Sequence, residues 1–231
     1  MFVLLHSPVL GPRSWRDVAR ELERAGRDVA VPSLAAAFRG VLPTWPAVVE
    51  AVAATVPANT AEMVVVAHSG AGLYVPAVVD GCPAQVIACV LVDAALPPRQ
   101  GSVPSAPPEL LDQLRALAVD GRLPVWTDWW DPADVDLLFP DAVTRREVAA
   151  EQPRLPLAHY GQELPVRAGW DDRPCAYVAF GDTYGAEAAD AARRGWRVVT
   201  LPGGHLHQLV DPAAVAAELL RPVRSTGWAT S

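Results

Sequence analysis

Met63-Val64-Val65-Val66-Ala67-His68-Ser69-Gly70-Ala71-Gly72 is the stretch whose reading decides the fold. Met63 to Ala67 is apolar at every position, which suits a parallel strand buried on both faces. The run passes straight into a serine whose second neighbours, Ala67 and Ala71, are small, and Gly70 to Val79 then reads as a helix. A buried strand, a sharp turn and a helix form the setting in which a nucleophilic serine is held clear of the backbone. Large side chains two positions away would collide in such a turn. The helix start behind the serine has free N–H groups and the positive end of the helix dipole. The N–H of Gly70 is therefore a candidate oxyanion donor. A plain strand-to-helix turn with a serine N-cap would read similarly, so partners must come from elsewhere in the chain.

Outward from this stretch, short apolar runs alternate with amphipathic segments. Phe2 to Leu5 predicts the first strand, Arg13 to Ala25 a helix with Trp15, Val18, Ala19 and Leu22 on one face, and Val29 to Val31 the next strand. Trp45 to Val56 follows as a helix and Val86 to Val92 as a second wholly apolar strand. Near the C-terminus come Tyr177 to Phe180 (strand), Ala186 to Arg194 (helix), Arg197 to Leu201 (strand) and Pro212 to Leu220 (helix). This alternation predicts an α/β fold with a mostly parallel sheet of about six strands and helices on both faces. Residues 97 to 174 break the rhythm: they are rich in Pro and Trp, show no clear strand, and carry helix-like stretches at Glu109 to Ala118 and Asp141 to Glu151. A segment that long is read as an inserted helical cap on a single domain spanning 1–231.

Two further segments complete a candidate site. Leu201-Pro202-Gly203-Gly204-His205-Leu206-His207 lies between the last strand and the last helix, where a loop delivers a side chain to the C-terminal edge of the sheet. One loop histidine is ordinarily a solvated or structural residue; together with the serine turn, His205 is the candidate general base and His207 its rival or a pocket residue. His68 and His159 are weaker candidates. At the front, Phe2-Val3-Leu4-Leu5-His6-Ser7-Pro8 opens a loop able to supply the second oxyanion N–H. Pro8 has no N–H, which leaves Ser7, with His6 beside it as a pocket candidate. Trp126, Trp129, Trp130 and Trp170 of the cap segment, besides packing, are candidates to line an apolar aromatic pocket.

Composition narrows the partners. The formal net charge is -7, and all 19 basic residues are Arg. No basic stripe appears, so a nucleic-acid partner is not expected, and the acidic balance argues against an anionic membrane surface. Three cysteines, Cys82, Cys89 and Cys175, have no metal-ligand spacing and read as reduced thiols of a cytoplasmic protein. No signal peptide, membrane span, metal or cofactor is expected. The expected partner is a small-molecule substrate, with a homodimer possible.

These residues carry a resemblance. The chain resembles the α/β-hydrolase superfamily, in particular the small plant-type methylesterase and hydroxynitrile lyase group and its bacterial relatives. The matching pieces are Phe2 to His6 with Trp15, Val65 to Ser69, Ala94-Ala95-Leu96-Pro97 and Gly203-Gly204-His205. The resemblance implies a sheet starting at the superfamily's third strand and a Ser–His–acid set. Two departures stand out. His6-Ser7 replaces the usual His-Gly of the first oxyanion loop, and the acid has two candidates. Asp182, in Gly181-Asp182-Thr183-Tyr184, has the usual loop position, one residue early; Asp93 ends the wholly apolar Val86 strand, where a carboxylate needs a partner. Position tips the choice narrowly to Asp182, with Asp93 a full rival. The expected activity is a serine hydrolase acting on a small to medium, apolar or aromatic ester or thioester. A lyase, cyclase or other tailoring enzyme of secondary metabolism, or a ligand sensor, would use the same fold. The related hydroxynitrile lyases carry a Lys after the catalytic His, where this chain has Leu206.

Overall fold

The computed structural model describes residues 1–39 and 42–221. In chain order its elements are β1 (Phe2–Leu5), α1 (Arg16–Arg24), β2 (Val29–Ala30), α2 (Trp45–Thr55), β3 (Glu62–Ser69), α3 (Val75–Gly81) and β4 (Gln85–Ala94). There follow β5 (Gly101–Pro104), α4 (Pro108–Leu117), α5 (Pro132–Asp136), α6 (Ala142–Glu151) and β6 (Glu163–Val166). The chain closes with β7 (Cys175–Phe180), α7 (Gly185–Arg193), β8 (Arg197–Leu201), α8 (His207–Val210) and α9 (Pro212–Leu220). Six strands form one parallel sheet in the order β2-β1-β3-β4-β7-β8. The order reverses direction between β1 and β3, and in open α/β sheets that reversal opens the crevice where ligands bind.

The wholly apolar strands are explained by what each face meets. Along β3, Val65 and Ala67 face one core while Val66 faces the other; along β4, Cys89 and Leu91 alternate in the same way with Val90 and Val92. The first core is closed by Val48 and Val52 of α2 and by Val75 and Val78 of α3, the second by Val18 and Leu22 of α1 and Val215 and Leu219 of α9. A period of two with both faces covered demands hydrophobic residues throughout.

Three sequence readings change. The segment between β4 and β7 contains strands as well as helices: β5 and β6 pair antiparallel, Gly101 opposite Val166. Prolines at positions 104 and 165 hid this ribbon, since proline is tolerated only at edges and ends of strands. The helix expected from Gly70 begins as a 3-10 turn over Gly70–Tyr74 and becomes α-helical at Val75. Strand β4 runs on to Ala94, so Asp93 lies within it. The inserted segment is tied to the sheet layer by an ionic cluster. Arg13 donates from Nε to Glu147 on α6 at 2.6 Å and pairs with Asp17 at 2.8 Å, and Arg16 reaches the same Glu147 at 2.7 Å.

Candidate active site

The turn after β3 holds Ser69 at φ 58°, ψ -134°. A side chain is strained there, by about 1–3 kcal/mol, and such strain clusters at functional sites. Packing imposes it. A Cβ on Gly72 would sit 2.1 Å from the Ala95 carbonyl oxygen, so the helix start lies directly on the end of β4. Ala67 and Ala71 are fully buried, as small second neighbours require.

Asp93 is delivered by a second irregularity. His68 pairs with Val92 but Ser69 pairs with Ala94, so Asp93 is an extra residue in the β3–β4 register, at φ 43°. Such a bulge re-aims a side chain, and here the carboxylate turns toward the end of β8. Its Oδ2 lies 2.6 Å from His205 Nδ1, and its Oδ1 accepts the N–H of Phe180 at 3.0 Å. Both oxygens of a fully buried carboxylate are thereby satisfied. His205 Nε2 is 3.0 Å from Ser69 Oγ. Asp93, His205 and Ser69 form one hydrogen-bonded chain.

Asp182 does not join it. It is exposed in the turn between β7 and α7, and His205 Nδ1 is occupied by Asp93. The positional preference for Asp182 is corrected to Asp93. The physical reason is the bulge: it moves the strand-end carboxylate onto the ring, while the tight Gly181 turn (φ 61°) carries its neighbour toward solvent.

The remaining histidines hold the frame. His6 is fully buried and both ring nitrogens are used: Nδ1 donates to the Ser7 carbonyl at 2.8 Å, and Nε2 accepts the Leu34 N–H at 3.1 Å. It lies outside the cavity wall, which corrects its reading as a pocket residue; it shapes the Ser7 loop instead. His207 is also outside that wall. It is 7% exposed, its ring lies edge-on to Phe180 at 5.4 Å, and a Cβ on Gly203 would strike it at 2.2 Å. His68, a weak candidate from sequence, packs against His205 with ring centroids 4.6 Å apart. Its Nε2 donates to the His205 carbonyl at 2.9 Å, and so anchors that loop from below. Trp15, singled out in the first helix, donates from Nε1 to the Leu5 carbonyl at 3.0 Å and fixes the end of β1.

A cavity of about 810 Å³ opens above the chain of three. Ser7 and Gly70 border it beside Ser69, and Trp126, Trp129 and Trp130 form part of its aromatic wall. Trp170 is elsewhere, 2% exposed and edge-on to Trp196 at 5.8 Å. Sequence reasoning passed over Tyr74, Tyr160, Tyr184 and Glu187, which also line the cavity. The only signal for Tyr184 was its place beside Asp182. A buried network backs Tyr74 of the wall: Thr44 Oγ1 lies 3.1 Å from the Tyr74 hydroxyl, the Thr44 N–H donates to Gln162 Oε1 at 2.9 Å, and Gln162 Nε2 returns a bond to Thr44 Oγ1 at 2.8 Å.

Burial holds His6 and His159 down to about 4, and holds His68 well below the usual histidine range, where the neighbouring His205 adds to the effect. All three are neutral in the fold, whereas the unfolded chain protonates them near pH ~6.5. Between about pH 6.5 and 4 the unfolded state therefore binds more protons, and stability falls as pH falls. His6 and His159 each contribute on the order of 3 kcal/mol to that loss. Thermal unfolding at pH 7, 6 and 5 should show a steadily falling midpoint; a flat midpoint would contradict the neutral assignments.

Among the described residues, no helix is long and apolar enough to cross a membrane. Solved structures share the fold. An extracellular alpha/beta-hydrolase from a Paenibacillus species, described as homologous in structure and function to tobacco salicylic acid binding protein 2, superposes with a TM-score of 0.73 at 18% identity, over 96% of this chain and 98% of that one. A pyrethroid hydrolase from Sphingobium faniae gives 0.68 at 16%, over 94% of each chain. Tomato methylketone synthase I, complexed with 2-tridecanone, gives 0.69 at 13%, over 95% of each. No curated protein sequence matches the chain. The model of the alpha/beta hydrolase family matches residues 2–218, nearly the full length, and with the parallel sheet and the serine turn already described, the chain belongs to that family.

Proposed function

We propose that this protein is a serine hydrolase that cleaves a small to medium, apolar or aromatic carboxylic ester or thioester through an acyl-enzyme. The observation that carries the reading is the continuous hydrogen-bonded chain from Asp93 through His205 to Ser69 at the floor of the cavity. Ser69 attacks the acyl carbon and its proton passes to His205 Nε2. Asp93 holds the proton of His205 on Nδ1 and stabilises the imidazolium as it forms. The N–H groups of Ser7 and Gly70, which border the cavity after β1 and β3, serve as donors to the oxygen where charge develops. The Ser7 carbonyl is engaged by Leu10 N–H at 2.9 Å and by His6, which fixes the loop. Water is the only co-reactant in this scheme.

The cavity's size, about 810 Å³, suits a drug-sized ligand. Its wall is largely apolar, with the three Trp and Leu73, Leu96 and Leu110. Fluorophosphonate labelling of Ser69, followed by a screen of aryl and alkyl esters of increasing acyl length, tests the reading. Absence of both labelling and ester cleavage would overturn it; labelling without cleavage of any ester or thioester would move the assignment to a non-hydrolytic reaction at the same serine.

Substrate charge gives a further expectation. The charged side chains on the cavity wall, apart from histidine, are Asp134 and Glu187, and no arginine lines it among the described residues. Like charges brought together across a binding surface cost affinity. An ester bearing a free carboxylate should therefore show kcat/KM at least about 10-fold below its neutral isostere, a gap that narrows as salt screens the field. Equal rates for the two esters would rule out this electrostatic bias.

A further inference from the structure

Tyr184 contacts the candidate nucleophile directly, and the scheme above gives it no role. Its hydroxyl is 3.4 Å from Ser69 Oγ, and its ring is tilted 39° to that of His205 with centroids 5.6 Å apart. It lines the cavity and immediately precedes α7. Its loop is held against the His205 loop: a Cβ on Gly181 would stand 2.9 Å from the Gly203 carbonyl oxygen, so the two loops touch backbone to backbone.

The sheet order places this hydroxyl relative to the reaction. Ser7 and Gly70 approach Ser69 from the ends of β1 and β3. Tyr184 follows β7 and His205 follows β8, on the opposite side of the Ser69 strand. Two N–H donors therefore flank the acyl oxygen, while His205 and Tyr184 flank the side from which the departing group receives its proton. Ser69 directs its own proton to His205 Nε2, so in the 3.4 Å contact the Tyr184 O–H is the donor to Ser69 Oγ, and once that oxygen is acylated the O–H can turn to another oxygen on the reacting carbon.

We propose that Tyr184 is a further catalytic residue, whose phenol donates a hydrogen bond to the leaving-group oxygen as the tetrahedral intermediate collapses. This rests on the hydrolase reading and deepens it. The step balances as follows. The bond from Ser69 Oγ to the acyl carbon has formed, and the bond from that carbon to the alkoxy oxygen breaks with its electron pair going to the oxygen. His205 Nε2 returns to that oxygen the proton it took from Ser69, and the alcohol departs. Tyr184 keeps its own proton throughout and lowers the charge carried by the oxygen before the transfer is complete. In deacylation water occupies the same place and the sequence runs in reverse. Burial raises the phenol above its usual range, which keeps its proton in place at neutral pH.

The test is Tyr184→Phe, which keeps the ring against His205, assayed on two esters of one acyl group: a 4-nitrophenyl ester, whose leaving oxygen needs little help, and an ethyl ester, whose alkoxide needs a donor. A hydrogen bond to a charged oxygen predicts that kcat/KM for the ethyl ester falls about 10- to 100-fold, while that for the 4-nitrophenyl ester changes by less than about 3-fold. Fluorophosphonate labelling of Ser69 should persist, because fluoride leaves without a proton. An equal fall for both esters would reduce Tyr184 to a packing role, and no fall for either would make it idle; each result overturns the proposal while the hydrolase reading stands. Wild-type protein that neither labels nor cleaves any ester would bring down both.

Discussion

Ser69→Ala loses fluorophosphonate labelling and lowers kcat by on the order of 10⁶-fold, as removal of a nucleophile does where the catalytic residues act as a unit. What rate remains comes from the oxyanion donors and from binding. Stability should barely change, since alanine inherits the φ of 58° together with its strain. Ser69→Gly separates the two effects. Glycine adopts positive φ without a Cβ clash, and that relief outweighs the extra chain entropy it loses on folding. The glycine variant should be as inactive as the alanine one yet more stable by about 1 kcal/mol. Calorimetry on the three proteins checks this, with labelling and ester hydrolysis as the functional readouts. Labelling that survives in Ser69→Ala would place the nucleophile elsewhere. A glycine variant less stable than the alanine one would mean that the turn is not strained.

The parts of this molecule legible from sequence are those governed by pattern. The apolar runs of β3 and β4 announced strands covered on both faces, because period-two burial on both sides leaves no position for a polar residue. The serine turn was legible because steric crowding restricts its second neighbours to residues such as Ala67 and Ala71. The antiparallel pair β5–β6 was not legible, because four-residue strands holding Pro104 and Pro165 carry a turn signal, and β5 buries little while β6 buries only Leu164 and Val166. The three Trp of the cavity wall were found by composition. Tyr184 was not, since nothing local distinguishes a tyrosine pointing at Ser69 from one packed in a core. Nor could spacing separate the roles of His205 and His207, two residues apart. The difference arises in three dimensions: α8 starts at His207 and turns that ring onto Phe180. For the acid, the decisive feature was a single extra residue in the register between two strands, which no periodicity reveals.

Asp93→Asn is the sharpest test of that last point, because the hydrogen bonds around the carboxylate dictate how the amide must sit. Phe180 N–H can only donate, and it bonds Oδ1 at 3.0 Å. In the variant the amide oxygen must therefore stay on Phe180, which turns the amide NH₂ toward His205 Nδ1. An NH₂ group donates, so Nδ1 must become the acceptor and the ring proton moves to Nε2. That nitrogen faces Ser69 Oγ at 3.0 Å, and once protonated it cannot take the serine's proton. The expected result is a loss in kcat on the order of 10⁴-fold with little change of shape. KM should move little, since Asp93 is fully buried and does not border the cavity. Asp182→Asn, at an exposed turn, should change kcat by less than about 2-fold, as surface substitutions away from a site generally do. The reverse outcome, with Asp182→Asn crippled and Asp93→Asn active, would require the loop after β7 to swing its carboxylate onto His205 during turnover. Asp93 would then be left as an acceptor for the Phe180 N–H and nothing more.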